Sequence, residues 1–245
     1  MSRFIPTGAK SIDCLLGGGV RIGMLTDIYG AAGSGKTQLC FTLCVNFATY
    51  FKDKGKIVFI DTSGKFRPER INEIGKVGGK NNYEILDNII VIRSLSTYDQ
   101  INVVKNIYRA CPGLVIIDSV TSLFSDEFKG SSRHLVLMKH LHDLSLAAIS
   151  FDCAVVITNM IRNVPVNRTT YSQIKYKESK SRGNPNDNGF EEREFMNASV
   201  SIYAHVKLKL EVDSIEQSAF TAGLIQPARK NKVKFGITAN GISDL

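Results

Sequence analysis

Gly30-Ala31-Ala32-Gly33-Ser34-Gly35-Lys36-Thr37 is the stretch on which the reading of this sequence turns. It follows the pattern G-x-x-x-x-G-K-T, a P-loop, in which glycines let the backbone curl until several N–H groups face one phosphate. The loop opens a helix whose dipole favours anions. Lys36 is placed to reach the β and γ phosphates of ATP, and Thr37 to hold Mg²⁺. Residues 24–29 before it are strand-like. Residues 36–51 after it carry Leu39, Cys40, Leu43, Cys44, Phe47 and Phe51 at three- and four-residue steps, which predicts a helix with one apolar face packed on a sheet. The expected phosphate site is therefore Gly30, Ala31, Ala32, Gly33, Ser34, Gly35, Lys36 and Thr37, with Gln38 next in line.

Outward from this stretch, apolar segments at residues 57–61, 89–92, 114–118 and 154–159 alternate with helix-like stretches. Such alternation predicts an α/β fold with a mainly parallel central sheet flanked by helices. The segment Leu114-Val115-Ile116-Ile117-Asp118 is an apolar strand ending in a carboxylate, which in P-loop proteins orients the Mg²⁺ shell from the neighbouring strand. Thr37 and Asp118 are thus the expected metal-shell residues. Residues 203–212 alternate apolar side chains with Lys207, Lys209 and Glu211, and residues 232–237 read as a further strand, predicting antiparallel C-terminal strands at the sheet edge. Neither an internal repeat nor a second composition regime outside one loop appears, so residues 1–245 read as a single core, with 1–20 as a short lead-in.

That loop is expected over residues 160–196, where apolar residues are few and Asn, Ser, Lys and Arg abound, predicting a long basic mobile segment. Arg162, Arg168, Lys175, Lys177, Lys180 and Arg182 face only Glu178 between residues 162 and 182, with Tyr171 and Tyr176 interleaved. Mobile cations can track phosphates while aromatic rings stack on unpaired bases, so these are the candidate contacts to single-stranded DNA; a solvated polar loop is the alternative. Arg229, Lys230, Lys232 and Lys234 form a second basic cluster.

The whole chain has a formal net charge of +8, which favours a polyanionic partner without identifying it. The apolar runs are strand length, so no membrane span is expected, and the first 20 residues lack a signal-peptide pattern. An intracellular protein is the expectation, in the cytoplasm or in a eukaryotic nucleus. The 5 cysteines include no C-x-x-C pair and read as buried reduced thiols. His134, His140, His142 and His205 lack any H-E-x-x-H spacing and read as ordinary structural positions.

From about residue 7 onward the sequence resembles the RecA/RadA recombinases of archaea and eukaryotes. The resemblance is carried by Thr7-Gly8-Ala9-Lys10-Ser11-Ile12-Asp13, by Leu15-Leu16-Gly17-Gly18-Gly19, by Ile60-Asp61-Thr62 with Phe66-Arg67-Pro68-Glu69-Arg70, by Val155-Val156-Ile157-Thr158-Asn159, and by the ending over residues 235–244. It implies a RecA-like P-loop NTPase core. It also implies that Arg70, the last arginine of F-R-P-E-R, stacks on adenine.

The chain departs from the family in ways that matter for activity. Ser63 stands where active members carry the glutamate that activates the attacking water. General-base help is worth about 10²- to 10⁴-fold, so the expectation is ATP binding with weak hydrolysis. Met160 stands where the family places a glutamine that senses the γ phosphate, and a thioether cannot make those bonds. Few residues precede the Thr7 string, whereas full recombinases carry an N-terminal helical domain and an F-x-x-A linker that joins protomers; Phe195-Met196-Asn197-Ala198 matches that motif only by letter. Ser125 begins the place of the first DNA loop, residues 125–133, where Lys129 and Arg133 are the available cations.

These departures resemble the short RadB-type archaeal paralogues, which keep the ATPase core and assist the main recombinase. The implied role is recombination and DNA repair, through single-stranded DNA or a RecA/RadA-type recombinase. Two alternatives stay open: a self-sufficient DNA-dependent ATPase that exchanges strands, and a RecA-fold signalling ATPase without DNA contact.

Overall fold

The computed structural model describes residues 3–77, 82–165, 190–213 and 219–245. The chain begins with β1 (Phe4–Ile5), α1 (Lys10–Leu16) and β2 (Val20–Arg21), followed by β3 (Leu25–Gly30) and α2 (Lys36–Tyr50). Next come β4 (Lys56–Asp61), α3 (Pro68–Val77), α4 (Asn82–Asp87), β5 (Ile89–Arg93) and α5 (Thr97–Asn106). They are followed by β6 (Pro112–Asp118), α6 (Ser122–Glu127), α7 (Ser131–Ser150) and β7 (Ala154–Pro165). The chain finishes with β8 (Phe190–Glu194), α8 (Asn197–Tyr203), β9 (Val206–Val212), β10 (Ala219–Gln226), β11 (Lys232–Thr238) and β12 (Gly241–Ser243).

The central sheet runs in the order β12, β11, β10, β9, β3, β7, β6, β4, β5. From β9 to β5 neighbouring strands are parallel; β10, β11 and β12 are antiparallel, as the alternation of segments predicts. Period-2 side-chain alternation splits each inner strand between two cores. Leu114 and Ile116 of β6 pack beneath α2, whereas Val115 and Ile117 pack beneath α7 with Leu137, Leu141 and Leu144. Both faces of β4 and β6 are covered, which is why residues 57–60 and 114–117 read as unbroken apolar runs.

Several expectations are corrected. Helix α2 is not apolar on one face only: residues 39–45 are all buried, because β1, α3, α4 and β12 surround it on the sides away from the sheet. Within the lead-in, Ile5, Ile12 and Leu15 are buried in the core. The N-cap of α1 is Ala9, which has no capping group, and the Asp244 carboxylate accepts from the Lys10 and Ser11 amides at 2.9 Å instead. The C-terminus is thereby tied to the N-terminal helix.

Residues 160–196 are not one loop. The second half of β7 pairs antiparallel with β8, from Ile161 opposite Glu194 to Pro165 opposite Phe190. Backbone pairing of two polar strands supplies what the sparse apolar pattern does not announce. Residues 125–133 are mostly helical, spanning the end of α6 and the start of α7. Nor is β9 at an edge: it lies between β3 and β10, and Lys207 is 1% exposed.

Candidate functional site

The parallel strands deliver β3, β4, β6 and β7 to one edge with their C-terminal ends together, and the glycine-rich turn leaves β3 there. Gly33 (φ +80°) and Gly35 (φ +93°) occupy the left-handed region that favours glycine. A Cβ on Gly35 would also lie 3.0 Å from Ile237 Cδ1 of β11. Gly35 is the N-cap of α2, no side chain caps the helix, and no acidic residue occupies its first turn. The opening amides and the positive end of the dipole are thus left for an external anion. Lys36 Nζ folds back along the turn, donating to the carbonyls of Gly30 (2.8 Å) and Ala31 (2.6 Å). Burial lowers its proton affinity; Asp118 opposes that, and Lys65 adds to it.

Asp118 closes β6 beside this turn. Its Oδ2 accepts from Thr37 Oγ1 at 2.6 Å and its Oδ1 from Thr158 Oγ1 at 2.5 Å. Sequence reasoning paired Thr37 with Asp118, and the fold brings them into contact. Thr158, which orients the carboxylate from β7, carried no assigned role in the sequence.

The turn after β4 is organised by Asp61. Its Oδ1 accepts from the amides of Ser63 (3.0 Å), Gly64 (2.7 Å) and Lys65 (3.2 Å), and its Oδ2 from Phe66 (3.2 Å). Burial alone would raise the carboxyl, but these amide donors outweigh it and hold it below the usual range. The Ser63 hydroxyl approaches the Asp118 carbonyl at 3.4 Å, and Thr62 Oγ1 donates to the Ser119 carbonyl at 2.8 Å. The turns after β4 and β6 are therefore knitted together.

Between them lies a cavity of about 510 Å³, lined by residues 32–38, Ser63, Lys65, Asp118, Ser119, Ser122, Asn159, Met160 and Ile237. Among these residues Lys36 and Lys65 are the cations and Asp118 is the carboxylate. Gly30 and Ala31 lie just behind the wall. Arg70 also stands outside it: Nε donates to Gln38 Oε1 at 2.8 Å, and the guanidinium reaches the Thr238 and Ala239 carbonyls and Glu73. Gln38 is the side chain that connects Arg70 to the cavity. Lys65, Ser119, Ser122 and Ile237 line the site although nothing in the motif reading marked them. Lys65 could have been noticed as a cation two residues past Ser63.

The donor set suits a magnesium nucleotide. Hydroxyl and carboxylate oxygens meet at Thr37 and Asp118, the hard ligands Mg²⁺ prefers, beside an uncapped helix end and a lysine. No group of three or more His, Cys, Asp or Glu that could hold a metal by itself occurs among the described residues.

Below the cavity Asn159 links it to a buried charged cluster. Its Oδ1 accepts from Thr121 Oγ1 (2.7 Å), and its Nδ2 donates to Glu194 (3.0 Å) and to the Phe195 carbonyl (2.8 Å). Glu194 in turn accepts from Lys207 Nζ at 2.5 Å.

Of the candidate DNA contacts, Arg162 is exposed on β7, with its guanidinium 3.9 Å from the Phe195 ring centroid and a bond to Ser125. Arg168, Lys175, Lys177, Lys180 and Arg182 lie outside the described residues, as do Tyr171 and Tyr176. Arg133 is committed structurally: its Nε donates to the Phe128 carbonyl at 2.7 Å, near the end of α6. In the C-terminal cluster, Lys232 and Lys234 pair with Glu211 and Asp213.

The histidines hold structural contacts. His140 is buried with Nε2 3.1 Å from Gln100, and burial pushes its pKa down to about 3; His205 Nδ1 accepts from the Leu25 amide at 3.1 Å. Cys40, Cys44 and Cys153 are buried, but Cys14 and Cys111 are exposed, correcting the expectation for those two. Among the described residues no helix is long and apolar enough to cross a membrane.

The family model described as Rad51 matches residues 3–180. The "DNA repair and recombination protein RadA" of Aeropyrum pernix is 40% identical over 173 residues, covering 66% of this chain and 54% of that protein. The RadA proteins of Ignicoccus hospitalis and Cenarchaeum symbiosum are each 37% identical, over 66% of this chain and 55% and 43% of theirs. The chain thus spans about half the length of the curated relatives it matches.

Proposed function

This chain belongs to the Rad51 family, and from that premise we propose that it is an ATP-binding recombinase paralogue with weak hydrolysis, of the RadB type. Its role is in DNA repair by homologous recombination, through single-stranded DNA, a RadA-type recombinase, or both. One observation carries the reading: the cavity unites an uncapped helix end, Lys36 and the Thr37–Asp118 pair, yet offers Ser63 where a water-activating carboxylate would stand.

In this reading the amides of residues 33–37 and Lys36 bind the phosphates, and Thr37 and Asp118 hold the shell of Mg²⁺. When bound, the ion neutralises phosphate charge. Thr158 holds the Asp118 carboxylate in place. Gln38 and Arg70 flank the base. Asp118 accepts from two hydroxyls, Asp61 is turned to the backbone amides of its own turn, and Ser63 offers no carboxylate to the cavity. Slow turnover follows.

DNA contact is supported by the basic composition and by exposed Arg162 above the Phe195 ring, at the root of residues 166–189, which contain Arg168, Lys175, Lys177, Lys180 and Arg182. A protein partner is supported by β5, an open sheet edge with Ile90 and Val91 exposed. Beside it a groove of about 620 Å³ is lined by Val58, Ile90, Ile92, Val103 and Ile107 together with Arg93, Asp99 and Arg109. Extended peptides add to edges of this kind, with side chains seated in adjacent pockets.

The test is calorimetry and steady-state turnover with MgATP, with and without single-stranded DNA. The parent should bind MgATP and turn it over slowly, Lys36→Ala should lose binding, and Ser63→Glu should raise turnover by about 10²-fold or more. Rapid hydrolysis by the parent, or no heat with MgATP, overturns the reading.

A further inference from the structure

We infer that Lys65 is a second phosphate-binding lysine, reaching the nucleotide from the turn between β4 and α3 and discriminating ATP from ADP by its contact with the terminal phosphate. The inference rests on the ATP reading above and deepens it.

The first support is placement. Lys65 and Lys36 line the same cavity although they come from different strands' turns. The Lys65 backbone is pinned on both sides. Its amide, with those of Ser63 and Gly64, donates to Asp61, and next to it the Phe66 ring packs edge-on against Phe59 and Phe41 at centroid distances of 4.9 and 5.8 Å. Gly64 takes φ +72°, and a Cβ there would lie 2.5 Å from the Arg93 guanidinium, so the tight turn is built around glycine. An exposed, flexible cation is thus mounted on a rigid base, as a ligand contact requires.

The second support is electrostatic. No ion pair or hydrogen bond of the Lys65 ammonium occurs among the described residues, and Asp118, the carboxylate among the cavity's lining residues, already accepts from Thr37 and Thr158. Lys65 acts against the charge on Lys36 in the free protein. Two cations facing one cavity repel each other until a polyanion enters between them, so the repulsion in the free state favours binding.

The third support selects the phosphate. The Ser63 hydroxyl places this turn against the end of β6, next to the Thr37–Asp118 pair. Thr37 and Asp118 would hold Mg²⁺ at the terminal phosphates of a bound triphosphate, and the turn that carries Lys65 stands beside that pair. A lysine there, beside a serine that cannot activate water, retains the triphosphate.

The experiment is calorimetry of the full chain with MgATP and with MgADP, for the parent, Lys65→Met, Lys65→Arg and Lys36→Ala. A charge-assisted contact predicts that Lys65→Met weakens MgATP about 10- to 100-fold while leaving MgADP within about threefold, with Lys65→Arg restoring most of the loss. An unchanged melting temperature without nucleotide shows that the variant folds. Equal losses for both nucleotides, or none, overturn the role of Lys65 while leaving the ATP reading intact; absence of MgATP binding by the parent overturns that reading itself.

Discussion

Asp27 shows how a single residue is governed by its surroundings. It lies on β3, is fully buried, and neither carboxylate oxygen accepts a hydrogen bond. The nearest cation, Lys207 Nζ, is 3.7 Å away and committed to Glu194, Asn197 and Ser201 at 2.5, 2.6 and 2.8 Å. Burial first, and the charge of Glu194 second, push the Asp27 carboxyl well above the usual range. The folded protein therefore keeps a proton that the unfolded chain releases near pH 4. The stability associated with this proton is whole below that pH and is lost as pH rises towards the folded value, by about 1.4 kcal/mol per unit for one proton. Asp27→Asn removes this dependence. Urea unfolding from about pH 4 upward should show the variant gaining on the parent as pH rises, and a difference that is constant from about pH 4 onward would mean that the Asp27 carboxyl is not raised in the fold. This cluster was hidden in the sequence. Alternation along β9 shows a lysine between Val206 and Leu208, which reads as a polar face; only the strands packed on either side of β9, together with Glu194 from β8, make burial of that charge tolerable.

At the scale of elements, legibility followed the distance over which an element is determined. Strands β4, β6 and the first half of β7 are written in their own composition, because both faces are covered and their central residues are apolar. The turn between β3 and α2 is legible for a related reason: the backbone needs glycine there, and the pattern survives as a motif. By contrast β8, Phe-Glu-Glu-Arg-Glu, carries no strand signature and exists by pairing with Ile161 and its neighbours. The lining residues Ser122 and Ile237 were illegible likewise, since each comes from an element that only the folded sheet brings to the cavity. The edge strand β5 makes an element-level prediction. Ile90 and Val91 are exposed because no further strand covers them among the described residues, and the groove between β5 and α5 mixes aliphatic side chains with Arg93, Asp99 and Arg109. A lysine in place of the exposed Ile90 on the edge strand itself should block strand addition without touching the nucleotide site. Ile90→Lys is expected to weaken association with a RadA-type recombinase by tenfold or more, measured by biolayer interferometry, with MgATP affinity unchanged. Undiminished association would move the interface elsewhere.

For the whole molecule, the net charge of +8 is less informative than the way the charges are paired. The C-terminal cluster that looks basic in sequence is partly paired: Lys209 and Lys232 share the Glu211 carboxylate, and Lys234 meets Asp213 at 3.0 Å. Only Arg229 and Lys230 remain outside those pairs, both exposed. Among the described residues Arg162 meets a serine hydroxyl and an aromatic face, neither of which cancels its charge. Together with Arg168, Lys175, Lys177, Lys180 and Arg182 it forms the concentration of positive charge with the fewest acidic neighbours in sequence. Binding of single-stranded DNA releases one set of counterions per phosphate neutralised, giving a slope of about −0.7 in log K against log salt for each contact. Replacing Arg162, Arg168 and Lys175 by alanine should flatten the slope by about 2 units and weaken binding at low salt. Replacing Lys232 and Lys234 should leave the slope within about half a unit, because those charges are already spent on carboxylates in the fold. Fluorescence anisotropy with a labelled oligothymidylate, from 50 to about 300 mM salt, separates the two. If the C-terminal pair controlled the slope instead, the DNA path would run along β11 rather than out from β7.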